Sequence, residues 1–294
     1  MGRVEAEMNQ IGLVYDRIRW EEKVLMDASK RLGLNLKMID SKEVCFDTLE
    51  DPAKVEEAFG NVVLQRCISY FRGLHITAIL ENFGLRVINP FSVSLLCGNK
   101  LFTTLALIKA GVPIPRTLVA FTNRGALKAL EALGYPAVLK PVVGSWGRLV
   151  ALIRDKDSAQ ALVESREEMQ NSLMQIYYLQ EYIKRPPRDI RTLTIGEEVV
   201  AAAYRYSAED DWRTNVARGG RTEPCPITDE LEDFAIRASR AVGGGVLAVD
   251  CMESPDGIVI HEVNNTPEFK GLYSATKIDI PEKIIEYAIK VMKK

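Results

Sequence analysis

Asp250, Glu262 and Asn264 are the residues of this chain whose types and spacing best suit chemistry. Side chains at i and i+2 of a strand share a face, so Glu262 and Asn264 point together. Ser254-Pro-Asp-Gly257 is a turn sequence. A hairpin through it brings Asp250 opposite Glu262 or one step diagonal. Two carboxylates and an amide oxygen then converge, an oxygen-rich set of the kind Mg²⁺ takes, with phosphate oxygens of a substrate completing its shell. The alternative is two solvent-facing acids on a half-exposed sheet. Both acids stand inside otherwise apolar strands, where burial without a cation is costly.

Lys140 closes the run Ala-Val-Leu-Lys-Pro, and Gly144-Ser-Trp-Gly-Arg148 follows it. Glycines there permit positive φ and close backbone approach, so the amides can cap phosphate oxygens while Lys140 and Arg148 neutralise them. The plainer reading is a simple turn. Neither G-x-x-x-x-G-K-[ST] nor G-x-G-x-x-G occurs. In Arg188-Asp-Ile-Arg191, alternation puts Asp189 and Arg191 on one side, where they can meet a hydroxyl and an anion or form an edge salt bridge. Asn215-Val-Ala-Arg218-Gly-Gly220 is a further polar cluster. The two histidines, His75 and His261, are too few for histidine-based catalysis. Alternation sends His261 to the face away from Glu262, and both histidines read as structural. Trp146 and Trp212 read as rim residues or as ordinary core.

The elements that position these residues alternate short β-branched runs with helical periods, the pattern of an α/β chain. Strands are expected at 11–15, 36–39, 62–65 and 86–88, with helices at 20–32 and 73–83, as a parallel-sheet unit. A helix over 100–110 stops at Gly111 before Val112-Pro-Ile-Pro115. Strands at 117–121, 137–140, 149–153 and 177–183 follow, with helices ending at Leu133 and opening at Asp157 as N-cap. This second unit is α+β. The last unit pairs 192–195 with 198–204 and 246–252 with 258–263. It adds a Thr228-capped helix that buries Leu231, Phe234, Ala235, Ala238 and Val242 and ends at Gly243, and a final helix from Pro281.

The 294 residues, 47% of them hydrophobic, fill a sizeable core. A formal net charge of −2 supplies no field for nucleic acid. No run approaches the roughly 18 apolar residues of a spanning helix, so the expected location is cytoplasmic. Five scattered cysteines without a C-x-x-C pair speak against disulfides or zinc and read as small core residues.

Taken in order, Lys100, Lys140 with Gly144 to Arg148, Gln180-Glu-Tyr-Ile183, Arg188-Asp-Ile-Arg191, Asn215 to Gly220, Asp250 and Glu262-Val-Asn264 resemble the ATP-grasp ligases over essentially the whole chain. Tyr15-Asp-Arg-Ile-Arg19, Gly144 to Arg148 and Glu268-Phe-Lys270 narrow the resemblance to the amino-group carrier ligases LysX and ArgX of lysine and arginine biosynthesis. The resemblance implies an amino-terminal parallel-sheet domain (1–98), a central lid domain (99–188) and a carboxy-terminal domain with the metal site (189–294), the last two sandwiching ATP. It implies ATP-dependent phosphorylation of the terminal side-chain carboxylate of LysW, a small acidic carrier protein. The α-amino group of glutamate or 2-aminoadipate then attacks the acyl phosphate.

By the same resemblance Lys100 and Lys140 contact ATP phosphates under a loop of Ser145, Trp146, Gly147 and Arg148. Gln180, Glu181, Tyr182 and Ile183 hold adenine, with Asp189 near the nucleotide. Arg191 and Asn215 face the acyl phosphate, Arg218, Gly219, Glu268 and Phe269 join them around the substrate, and Asp250, Glu262 and Asn264 ligate Mg²⁺. Asn264-Asn-Thr-Pro-Glu268-Phe-Lys-Gly271 looks like the glutamate branch, while Tyr15-Asp-Arg-Ile-Arg and Ala217-Arg-Gly-Gly look like the 2-aminoadipate branch. The working expectation is glutamate preferred and 2-aminoadipate accepted, since one methylene is worth only about 1–3 kcal/mol. An acidic carrier implies a local basic surface, with Lys184, Arg185, Arg188, Arg213, Arg218 and Arg221 as its candidates. The resemblance also implies a homo-oligomer. The competing readings are a ligase adding glutamate to another protein's carboxy terminus or to a small molecule, as ribosomal-protein glutamate ligases do, and a nucleotide-binding module without turnover.

Overall fold

A computed structural model describes residues 10–207, 212–214 and 221–293. Strands β1 (Ile11–Tyr15), β2 (Lys37–Asp40), β3 (Val62–Gln65) and β4 (Arg86–Ile88) form the expected parallel sheet, in the order β2-β1-β3-β4. Gly12 lets β1 run against the end of helix Pro52–Phe59, because a Cβ there would lie 2.0 Å from the Phe59 carbonyl oxygen. That helix and the short ones at Phe91–Cys97 and Lys270–Thr276 were not expected. At seven or eight residues they span about two turns, too few for a period to show. The helix expected from Gly73 begins at Tyr70.

The second sheet contains β5 (Thr117–Ala120), β6 (Ala137–Lys140), β7 (Ala151–Ile153) and β8 (Tyr177–Glu181), antiparallel in the order β5-β8-β6-β7. It has its own core, in which Leu139, Tyr177 and Leu179 meet Ala126 and Leu130 of one helix and Ala159 and Val163 of another. Two expectations need correction here. The strand placed from Leu149 begins at Ala151, since Leu149 has φ 57° and cannot extend a ladder. The helix N-cap is Asp155, not Asp157, because Asp155 accepts from the Ser158 amide at 2.7 Å while Ser158 Oγ bonds back to the Asp155 amide.

The third sheet contains β9 (Arg188–Ile195), β10 (Glu198–Tyr206), β11 (Arg221–Pro224), β12 (Val246–Ser254) and β13 (Gly257–Asn264), antiparallel in the order β11-β10-β9-β12-β13. Helix Asp229–Val242, capped by Thr228 and closed by left-handed Gly243, covers one face through Leu231, Ala238 and Val242. Phe234 on that helix is only half-buried. On the other face Leu193, Ile195, Ala201 and Ala203 share a core with Leu13 and Leu25 of the first sheet's layer and with Ile284 and Ala288 of helix Ile280–Met292. The first and third sheets are therefore packed as one body.

No single helix among the described residues is long and apolar enough to cross a membrane. All five cysteines are free; Cys67, Cys225 and Cys251 are buried as expected, Cys97 is half-buried, and Cys45 is exposed rather than a core residue.

Candidate active site

Pleating puts a row of charge on one face of the third sheet. Asp189 lies opposite Arg205, Arg191 opposite Asp250, and Asp250 directly opposite Glu262, so the opposite register of the two allowed by the hairpin is the one formed. Arg191 grips both oxygens of Asp250 at 2.7 Å, and Arg205 does the same to Asp189 while reaching Asp250 at 3.1 Å. The Thr214 hydroxyl donates to Asp189 as well. Two carboxylates and two guanidiniums balance, which permits Asp189, Asp250 and Arg205 to be buried. Burial pushes the Asp250 carboxyl up, but Arg191 and Arg205 outweigh it and hold the group below the ordinary carboxylate range.

Between Asp250 and Cys251 the register slips: Asp250 pairs with Glu262 and Cys251 with Ile260. His261 is the extra residue of a β-bulge. The expectation that it faces away from Glu262 is therefore wrong, because the bulge breaks the alternation and turns its ring into the same cavity, 4.0 Å from Asp189. His75, by contrast, is exposed and bonds through Nδ1 to the Phe71 carbonyl within its own helix.

Lys140 ends β6 with its ammonium buried and bonded to Gln180 Oε1 at 2.6 Å. Burial lowers its pKa to about 8, with Glu262 opposing and Lys100 and Arg185 reinforcing the fall. Lys100, the first residue of helix Lys100–Lys109, binds the Gly144 carbonyl at 2.7 Å and Glu262 at 3.2 Å. It thereby ties the glycine-rich loop to β13. In that loop Trp146 (φ 56°), Gly147 and Leu149 are left-handed, a cost usually kept where function needs the shape. Arg166, buried on helix Lys156–Glu167, holds both ends of the loop by donating to the Lys140 and Leu149 carbonyls.

Two cavities meet here. The first is lined by Lys100, Lys140, Ser145 to Arg148, Gln180 to Ile183, Asp189, Trp212, Asp250, His261 and Glu262. The second, about 630 Å³, is lined by Arg19, Glu21, Arg191, Asn264, Glu268 and Lys270 among others. Both include Gly144, Ser145, Trp146, Arg205, Asp250 and Glu262. A group bound in either cavity is thus within reach of the same two acids. Trp146 and Trp212 are half-buried on the rim, and Trp212 packs edge-on to Tyr182. Glu181 lines the first cavity with one carboxylate oxygen already taken by the Arg116 amide.

Among the described residues no three His, Cys, Asp or Glu side chains come together as a metal group. The candidate set is instead two carboxylates and an amide. Asp250 and Glu262 face each other, and Asn264 stands two residues beyond with its amide nitrogen buried and unpartnered among the described residues. That donor set fits Mg²⁺, which asks for one or two carboxylates and leaves the remaining positions to phosphate oxygens and water. Arg191, Arg205 and Lys100 meanwhile satisfy the acids.

Phe269 does not join the substrate group. It is fully buried, lines neither cavity, and packs against Trp20 at 5.8 Å, so it anchors its loop. Asn215, Arg218 and Gly219 lie outside the described residues. The basic surface is smaller than the arginine count implies, because Arg188 is held by both oxygens of Glu253 and Arg221 is paired with Glu223. Arg205 and Thr214 were not expected at the site. Arg205 had a signal, being a charge on the Ala201-Ala203 face of an apolar strand, whereas nothing in the sequence marks Thr214.

Residues 97–288 match the RimK-like ATP-grasp domain, and residues 11–96 match the LysX preATP-grasp domain. The chain is similar to the alpha-aminoadipate–LysW ligase LysX of Sulfurisphaera tokodaii, 38% identical over 94% of this chain and 96% of that one. It is also similar to the glutamate–LysW ligase ArgX of Sulfolobus acidocaldarius, 36% identical over 95% of this chain and 97% of the other. In fold it is similar to a RimK-domain ATP-grasp protein of Sphaerobacter thermophilus, with TM-score 0.76 and 24% identity over 95% of this chain and 99% of that one. The chain belongs to the RimK-like ATP-grasp family of ATP-dependent carboxylate–amine ligases, among its LysX- and ArgX-type members.

Proposed function

We propose that the protein joins the α-amino group of glutamate, and less readily of 2-aminoadipate, to the carboxy-terminal glutamate side chain of a LysW-type carrier through an acyl phosphate, releasing ADP. The observation that carries this reading is the meeting of two cavities at Asp250 and Glu262 beneath the glycine-rich loop. Phosphoryl transfer asks mainly for positioning and charge neutralisation, and the paired carboxylates, two lysines and two arginines supply both. In this reading domains 1–98, 99–188 and 189–294 enclose ATP. The first cavity takes the nucleotide, with Gln180 to Ile183 along the base and Lys100, Lys140 and the Ser145 to Arg148 loop on the phosphates. Asp250, Glu262 and Asn264 hold Mg²⁺, which neutralises phosphate charge. Arg191 faces the acyl phosphate and Glu268 faces the amino acid in the second cavity; Asn215, Arg218 and Gly219, which lie outside the described residues, are carried as further substrate-binding candidates.

The test is ADP release with MgATP, a carrier ending in glutamate and each amino acid in turn, followed by mass spectrometry of the carrier. One added glutamate mass per carrier, formed faster than the aminoadipate product, is the expected result. Ligation of 2-aminoadipate alone would reverse the preference. Addition of several glutamates, or turnover only with another acceptor, would move the protein to the tail-modifying or small-molecule reading. ATP binding without ADP release on any carboxylate–amine pair would leave a nucleotide-binding module.

Lys140 gives the reading a pH signature. With its pKa at about 8 in the free protein, the ammonium that phosphate oxygens need is lost above that value. MgATP binding is therefore expected to be constant well below this pH, to weaken by up to about tenfold per unit above it, and to take up protons near it. Calorimetry in buffers of different ionisation enthalpy reads the uptake. A flat profile would place Lys140 away from the phosphates.

A further inference from the structure

His261 is the one histidine in the nucleotide cavity, and both of its ring nitrogens are buried without a hydrogen-bond partner among the described residues. Buried polar atoms left unpaired are rare in native proteins and call for a reason. A β-bulge at this residue brings its ring to the wall of the cavity beside Asp189, and bulges next to active sites commonly re-aim a side chain in this way. Asp189 cannot serve it, being 4.0 Å away and already occupied by Arg205 and Thr214. Burial, reinforced by Lys140, pushes the pKa of the ring down. A neutral imidazole offers one donor and one acceptor.

We propose that His261 is a nucleotide-binding residue of this chain, its buried ring hydrogen-bonding an oxygen of bound ATP, either a ribose hydroxyl or a phosphate oxygen. The inference rests on the ligase reading, since it takes ATP as the occupant of the first cavity. It makes the bulge functional, because without the extra residue the ring would point to the opposite face of β13.

Calorimetric titration of the full chain with MgATP, together with thermal melts with and without it, tests this on His261→Leu and His261→Gln. Loss of one net hydrogen bond corresponds to a roughly 3- to 10-fold weaker Kd for His261→Leu. His261→Gln, which retains a donor and an acceptor, is expected to recover part of that loss. The ligand-free Tm of His261→Leu is expected to equal or exceed that of the unmodified protein, since two orphaned polar atoms are removed, while the rise caused by MgATP shrinks. A structural histidine gives the reverse pattern, a lower ligand-free Tm with unchanged affinity. That pattern, or a Kd within twofold of the unmodified protein, overturns the inference. Titration with 2′-deoxy- and 3′-deoxy-ATP separates the two sources: a deoxy penalty that vanishes in His261→Leu assigns a ribose hydroxyl, and an equal penalty in both proteins assigns a phosphate oxygen. Absence of MgATP binding by the unmodified protein overturns the ligase reading and this inference together, whereas unchanged binding by His261→Leu overturns this inference alone.

Discussion

Replacing Asp250 by Asn is expected to lower ADP release by about 10³-fold or more, the equivalent of roughly 4 kcal/mol in the barrier. One part of the effect is chemical. Asp250 is one of the two acids both cavities share, and loss of its charge removes one of the proposed Mg²⁺ ligands where phosphoryl charge has to be neutralised. The other part is structural, because Arg191 and Arg205 both lean on this carboxylate. Breaking a buried ion pair from one side costs about 3–5 kcal/mol, so the variant should also unfold at lower denaturant. Glu262→Gln separates the parts. Glu262 is a quarter exposed and its partner is Lys100, so its loss should cost activity on a similar scale with much less stability. Turnover by Asp250→Asn within tenfold of the unmodified protein would remove Asp250 from the metal site.

The site was legible in the sequence where strand geometry decides it. Glu262 and Asn264 share a face because residues two apart always do, and the Ser254 to Gly257 turn set the Asp250 register to within one step. Asp189 and Arg191 followed from the same rule. What the rule cannot foresee is its own interruption. The bulge at His261 inserts one residue and inverts the face of that side chain, and no residue type around it announces the slip. Left-handed Leu149 shortened β7 in the same unannounced way. Long helices such as Asp229–Val242 carried their caps and apolar faces openly, whereas the helices of seven or eight residues lacked a readable period. Contacts between distant segments were invisible altogether. Glu22 and Arg66 lie 44 residues apart, and the Pro267 carbonyl that Arg66 binds lies a further 201 along.

That distant network supports the second large prediction. Glu22 is completely buried at the start of helix Trp20–Arg31, where it accepts from Arg19 at 2.8 Å and from Arg66 at 3.1 Å. Arg66 passes the contact on to the Pro267 carbonyl, Arg19 reaches Glu268, and Glu21 accepts from the Lys270 amide. The parallel sheet thereby holds the loop that follows Asn264, which walls the second cavity. Glu22→Ala leaves two arginines without their shared acid, one of them fully enclosed, and is expected to cost about 3–5 kcal/mol in urea unfolding. A double variant, Glu22→Leu with Arg66→Met, replaces the buried pair by apolar groups and should regain most of that stability. It should not regain the loop's position, so a raised KM for the amino acid is expected to persist with KM for ATP little changed. Acid supplies an independent check. Burial pushes the Glu22 carboxyl up, but the hydrogen bonds from Arg19 and the charge of Arg66 outweigh it and leave the pKa below its ordinary value. A depressed carboxyl contributes stability in full above its unfolded pKa of about 4.3, and loses it as pH falls through the lower folded value. The stability gap between the unmodified protein and Glu22→Ala should therefore narrow in that acid window. A gap independent of pH would mean that the ion pair is not what holds the loop.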